Sequence, residues 1–126
     1  MLLNISSKTY SFRYDVSVNP LIGTYNTGLF IPGGTILMTP MFIRGEQNAT
    51  SATNSALFDL GWTANISILF TSYPTGILTN ATIFPMQFLT QAPFLIPAGG
   101  VEIILTITIE ALITGKGIFI FPAYEI

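Results

Sequence analysis

Apolar and polar side chains alternate with a period of two along most of this chain, the pattern of extended strands with one dry face. In KTYSFRYDVSV (8–18), Tyr10, Phe12, Tyr14, Val16 and Val18 point one way, and Thr9, Ser11, Arg13, Asp15 and Ser17 the other. The stretch reads as a long strand with one wet face, or as an N-terminal arm (within residues 1–18) lying along a neighbouring subunit. TILMTPMFIR (35–44) is apolar on both faces. Pro40 within it has no N–H to give a ladder, which demotes part of the run to an edge or a bulge. ALFDLG (56–61) follows. In ANISILFT (64–71), Ala64, Ile66, Ile68 and Phe70 are set against Asn65, Ser67, Leu69 and Thr71. TGILTNATIFPMQFL (75–89) reads as one or two strands broken near Pro85. In VEIILTITIEALI (101–113), the pattern places Val101, Ile103, Leu105, Ile107 and Ile109 inside, and Glu102, Ile104, Thr106, Thr108 and Glu110 outside. GIFIFPAY (117–124) is predicted to return along that strand across a tight TGKG turn (114–117), as a hairpin.

These segments amount to about eight or nine short strands punctuated by Gly, Pro and Asn. No stretch makes a credible helix; the best candidate is SATNSALFDL (51–60), where Asn54 or Ser55 could cap one turn. The predicted fold class is all-β: a single domain over residues 1–126, built as a β-sandwich or jelly-roll-like fold, with a barrel as the lesser alternative. RGEQNATSATNSA (44–56) is the longest loop candidate. LFIPGG (29–34) returns as FLIPAGG (94–100). Proline suits a strand's start or exit, and paired glycines allow a sharp change of direction. Pro32, Gly33, Gly34, Pro97, Gly99 and Gly100 are therefore read as two equivalent structural turns and not as a ligand loop. The strands that follow them do not match, which argues against a duplicated half-domain.

Composition changes the picture of the surface. Half of the 126 residues are hydrophobic and only 8% are charged, against about 25% in ordinary soluble domains. A monomer of this mass exposes roughly 6,600 Å², so charged groups are sparse on it, and none occurs between Asp59 and Glu102. A monomer with a Thr/Asn-rich surface is the bland reading. A subunit whose faces are buried against copies of itself or a partner fits the shortage of charge better. A membrane span is unfavoured: the most apolar window, 101–121, carries Glu102, Glu110 and Lys116 and alternates as a strand. The first ten residues show no signal-peptide core. The net charge of −2 with four basic residues argues against nucleic-acid binding.

Catalytic chemistry finds little to work with. Without His or Cys, the Ser-His-Asp and Cys-His arrangements are excluded, as are thiolate metal sites and disulfides. Glu102 and Glu110 share a face but lie roughly 27 Å apart along a strand, too far for a glycosidase pair. Asp59 could meet Glu102 or Asp15 across strands. ALITGKG lacks the Gly and the Ser/Thr of a phosphate loop and reads as a hairpin turn. Glu46-Gln47-Asn48 alone is too few oxygens for a hard cation. No cofactor or metal is expected, and the chain is not read as an enzyme. Four Asn-x-Ser/Thr sequons, at Asn4, Asn48, Asn65 and Asn80, are read as chance occurrences. The aromatics follow strand periodicity and are read as core or subunit interface, except Trp62 and Tyr73, which lie near strand ends and are the candidates for ligand stacking.

Three stretches carry a resemblance: GLFIPGGTILMTPMFI (28–43), ALFDLGWTANISILF (56–70) and the closing IILTITIEALITGKGIFIFPAYEI (103–126). Together they resemble a family of small virion proteins encoded beside the major capsid protein in tailed and other bacteriophages. The resemblance implies a β-sandwich that oligomerises on the capsid exterior, as a decoration (cement) protein or the base of a head fibre. The expected role is thus a structural protein of the virion, a homo-oligomer (trimer or higher) that partners the major capsid protein and bridges its subunits. The alternatives are a vertex (penton) or spike subunit, and a receptor- or carbohydrate-binding module using Trp62, Tyr73 and the 44–56 segment.

Overall fold

A computed structural model describes residues 5–89 and 93–125. Ten strands account for most of them: β1 (Ser6–Asp15), β2 (Gly23–Ile31), β3 (Ile36–Leu37), β4 (Met41–Ser51), β5 (Leu57–Trp62), β6 (Asn65–Pro74), β7 (Ile83–Met86), β8 (Phe94–Leu95), β9 (Val101–Thr108) and β10 (Leu112–Glu125). A single 3-10 turn, Thr75–Ile77, interrupts the strands among the described residues.

All pairings are antiparallel and fall into two sheets. In the first, β10 lies at the centre, with β1 along one side over its whole length. Its other side pairs first with β4 and then with β3, which pair outward with β7 and β8 respectively. β3 and β4 are one line of chain broken at Met38–Pro40, as the proline demands. The second sheet has the order β2-β9-β5-β6. The chain passes between the sheets at the β1–β2, β2–β3, β4–β5, β6–β7, β8–β9 and β9–β10 connections, so it has an all-β sandwich architecture. We call the two layers the β10 sheet and the β9 sheet after their central strands.

Between the layers, inward rows interlock. Phe119 of β10 stacks on Phe12 of β1 with ring centroids 4.7 Å apart and meets Phe58 of β5 edge-on at 5.9 Å. Tyr14 also meets Phe58 edge-on. Ile103, Leu105 and Ile107 complete the inward row of β9, all buried. Alternation therefore identified the dry face of β9 correctly up to Ile107. Ile109 lies beyond the strand end, 64% exposed and at φ 77°, and is not an inward residue.

Three expectations are corrected. Residues 8–18 are not an arm: β1 is an integral edge strand, and Phe12, Tyr14 and Val16 sit in the chain's own core while Tyr10 packs partly against it. Val18 lies past the strand end, exposed. The 114–117 turn is absent. Those residues lie inside β10, where register shifts against β4 and Gly115 at φ 145° absorb the irregularity. β9 and β10 are thus not a hairpin, since they belong to different sheets. The segment 44–56 is mostly strand, with β4 running to Ser51 and only the bend before β5 left as loop. The 51–60 segment, the best helical candidate, contains only that bend and β5, in line with the all-β reading.

The two proline-glycine segments meet at one end of the sandwich. The first carries the chain from β2 to β3, out of the β9 sheet, and the second carries it back from β8 to β9. Gly34 N–H donates to the Ile96 carbonyl (3.1 Å), and Ile96 N–H donates to Thr35 (2.8 Å). A Cβ on Gly33 would stand 2.7 Å from the Pro97 carbonyl oxygen, so glycine is what lets the two corners touch.

Candidate functional site

The site is best built by following side chains that point away from the core. On the β10 sheet the register aligns them in rows across all four lines of strand. One row runs Ser11, Ile120, Phe42, Pro85, and the next runs Arg13, Ile118, Arg44, Ile83. Nearer the corner end, Ser7, Tyr124, Ile36 and Leu95 form a further row. Met38 donates its N–H to the Pro122 carbonyl, placing it between the rows. No described segment covers this face. Ile83 and Leu95 are each 63% exposed, and Ile118, Ile120 and Phe42 are half-buried only by their neighbours. A shallow groove of about 550 Å³ runs beside Thr9, Met38, Pro40, Phe42 and Pro122. Beyond it lies an apolar depression lined by Ile5, Ile36, Met38, Pro93 and Tyr124.

Charge on this sheet is sparse but ordered, with Arg13, Arg44 and Lys116 on its outward side and Lys8 on the inward side at the corner end. All four basic residues of the chain, Lys8, Arg13, Arg44 and Lys116, belong to the β10 sheet. Arg13 pairs with Glu46 across β10 at 3.1 Å, and Lys8 with Glu125 at 3.5 Å. Glu125 also accepts a hydrogen bond from the Tyr10 hydroxyl, which together with Lys8 holds its carboxyl below the usual range. Arg44 has no ion-pair partner among the described residues, and Glu46 Oε1 is buried without a hydrogen-bond donor.

A second apolar surface caps the opposite end from the corners. Leu112 N–H donates to the Pro20 carbonyl, and Gly23 pairs with Ile107. These links bring the β1–β2 connection against the β9–β10 connection. Val18, Leu21, Ile22, Ile109 and Ile113 emerge there, each between 57% and 71% exposed. Ile109 holds its φ of 77° without being glycine, a backbone state that is costly for a β-branched residue.

Nearby, Glu110 ties together two crossings between the sheets. Its carboxylate accepts from the Ser51 hydroxyl, from the N–H of Ser55 (2.8 Å) and from the N–H and hydroxyl of Thr53 (both 2.9 Å). These bonds, the Ser51 hydroxyl first, hold its carboxyl down to about 2.

Of the residues expected to stack on a ligand, Trp62 is buried and Tyr73 half-buried. Trp62 is 4% exposed, packed edge-on against Phe94 at 5.4 Å, and only borders a cleft of about 310 Å³ beside Pro97 and Gly100. Tyr73 is wedged between Phe70 and Phe84. Both lie near strand ends as predicted, but on the inward side. Pro32, Gly33, Gly34 and Gly99 line a wide, open hollow with Phe30 and Leu95, beside the corner contact. Sequence reasoning missed the outward face of the β10 sheet. Its signal is the unbroken apolar run of GIFIFP, beside the apolar residues on both faces of TILMTPMFI, where a strand with one wet face would show a polar residue at every second place.

Fold and surface together define an all-β sandwich with one uncovered apolar sheet face and one apolar end. No family model matches the sequence, and no curated protein matches it. Among solved structures, a chain of the Cyanophage Pam1 capsid asymmetric unit is similar, with a TM-score of 0.71 over 98% of this chain and 87% of that one. Sequence identity is 10%, so the likeness is one of fold. No helix among the described residues is long and apolar enough to cross a membrane.

Proposed function

We propose that this chain is a structural protein of a bacteriophage particle, a capsid decoration protein that binds the assembled shell and has no enzymatic role. The observation that carries the reading is the placement of its exposed apolar surface. Instead of being scattered, as on ordinary monomers, much of it is gathered on one sheet face and one end of the sandwich. A contiguous patch of that kind marks an association surface. The shared fold with a capsid chain supports the particle context. Carboxylates engaged by hydroxyls and amides, as at Asp59 and Glu110, fit structural bracing better than acid–base work.

In this reading the apolar end at Val18, Leu21, Ile22, Ile109 and Ile113 meets the shell. Burying it there removes aliphatic area from water at about 25 cal/mol per Å². Because the protein binds only the assembled state, it stabilises that state by linkage. The test is cosedimentation with capsids purified without the protein. Saturable binding at many copies per shell is expected, and absence of binding overturns the proposal. Copies confined to the fivefold vertices would instead identify a vertex or spike subunit. Ile109→Gly separates docking from folding. Relieving the positive φ should raise stability by about 1 kcal/mol, while removing the side chain should weaken capsid binding.

A further inference from the structure

We infer that the outward face of the β10 sheet packs against the same face of a second copy of this chain, about a two-fold axis running parallel to the strands between β10 and β4. This pairing does not depend on the capsid reading, because it concerns a different surface and is read out in the absence of any shell.

The first argument is the fit of the face to itself. An isologous contact needs a surface that is its own complement. An axis between the two central lines of strand sets β10 of one copy over β4 of the other, and β1 over β7 and β8. Ile120 then lies over Phe42 of the second copy, Pro122 over Met38, and Tyr124 over Ile36. These are the apolar members of the successive rows, so the apolar centres coincide. The same rotation brings Arg44 over Ile118 of the second copy. There the Glu46 carboxylate reaches across β10 towards Arg13. Arg44 lacks an ion-pair partner among the described residues, and Glu46 Oε1 is buried without a donor. Arg44 of one copy is thereby brought beside the Arg13–Glu46 pair of the other, and the contact is made twice.

Area is the second argument. Three lines of strand about ten residues long and a fourth of six (β7 with β8), spaced about 4.8 Å apart at about 3.4 Å per residue, give a footprint of about 590 Å². A corrugated surface exposes more than its footprint, and a standard interface uses about 800 Å² per partner. The face is thus of the size a stable dimer needs. Two sheets meeting this way pack in the aligned manner, about 30° apart.

Sedimentation equilibrium of the full chain, with no capsid present, tests the pairing. The expected mass is twice the 13.7 kDa of one chain. Ile120→Lys should give a folded monomer, with its β circular dichroism and cooperative melting retained. Should that variant fail to fold, Arg44→Met and Glu46→Gln carry the test. Each should raise the dimer dissociation constant at least about tenfold, and the double variant should be no weaker than either alone, because both remove the same contact. A monomeric wild type at about 100 μM, a trimer, or a dimer untouched by all three substitutions overturns the inference.

Discussion

On the outward side of the β9 sheet, Thr24, Thr106 and Asp59 stand in one row, while the corresponding places of the β10 sheet hold Ile120 and Phe42. Strand geometry is alike in the two layers, so the difference lies in what covers them. β6 slips twice in its register with β5. Its first residues lie so close over Gly61 that a Cβ there would run into the Asn65 carbonyl. Asp59 draws β6 down further, accepting from the Ser67 hydroxyl (2.8 Å), the Thr71 hydroxyl (3.3 Å) and the Ser72 N–H (2.7 Å). The β9 sheet thus covers part of itself and satisfies its polar groups internally. The β10 sheet keeps an uncovered apolar face, in regular register from Gly117 to Ile120 against β4, and every cation of the chain. One layer is finished by the fold, and the other is left uncovered.

The sharpest way to break that comparison is to truncate adjacent residues on β10 that face opposite ways. Phe119 is fully buried against Phe12 and Phe58, and Phe119→Ala should cost about 3–5 kcal/mol. Ile120→Ala, one residue on, should cost about 1 kcal/mol or less in dilute protein, where no second copy covers it. Urea denaturation at low concentration measures both. Equal losses would mean that the outward face is already packed in the monomer, and the contrast between the sheets would fail.

The corners through which chain passes between the layers come next in size. Gly34 and Gly100 have similar φ values, 84° and 79°, but different surroundings. A Cβ on Gly34 meets nothing, whereas one on Gly100 would collide with the Phe30 ring and stand 2.8 Å from the Ile31 carbonyl oxygen. Gly34→Ala should cost about 1 kcal/mol, from backbone strain alone. Gly100→Ala adds a steric collision and should cost more than about 2 kcal/mol. If the two lose the same stability, the corner is looser than the close contact of its two halves requires.

These corners were legible in the sequence because a Pro-Gly-Gly run has few other uses. The inward rows were legible too, since alternation reports which side of a strand is dry. What it does not report is whose sheet provides the cover. Tyr10 to Val16 alternate equally well as an arm on a neighbour or as β1 beside β10, and the chain uses the second. The 114–117 segment misled because Gly-Lys-Gly satisfies a turn as readily as a bulged strand. Only its long-range partners, β1 and β4, decide between them. β2 gave almost no signal, because its inward row, Tyr25, Thr27, Leu29 and Ile31, mixes in a threonine that bonds the Ile103 carbonyl. The apolar outward face of β10 was present as an unbroken hydrophobic run. Such a run also describes a strand buried on both sides, and in one copy of the chain only the inner side is covered.

A smaller effect tests whether the β9 sheet is finished by its polar network. Asp59→Ala leaves the Ser72 N–H without its acceptor and frees two hydroxyls, which should cost about 1–3 kcal/mol. It should also loosen β6 without changing the oligomeric mass. Hydrogen exchange of the Ser72 amide reports the first, and sedimentation the second. A change of oligomeric mass would show that the β9 sheet also carries an interface, contrary to the division drawn between the layers.

The finest test concerns Glu110, which holds the β4–β5 bend from its place on the β9–β10 connection and so fastens one layer to the other. Its carboxyl is held down to about 2 in the folded chain, against an ordinary 4.5. A depressed folded value means that the stabilisation is fully present above the ordinary value and is lost as the pH falls through about 2. Carboxyl NMR should therefore place its titration midpoint near 2, well below those of exposed glutamates. The Thr53 and Ser55 amides should lose protection over the same range, once intrinsic exchange rates are allowed for. Glu110→Gln should weaken that protection at neutral pH, because a neutral amide is a poorer acceptor for three donating residues. Outward rows of both sheets should be unaffected in every case, since none of them touches this carboxylate. A midpoint near 4.5 would mean that the bend is not fastened, and that the layers are joined at this end by packing alone.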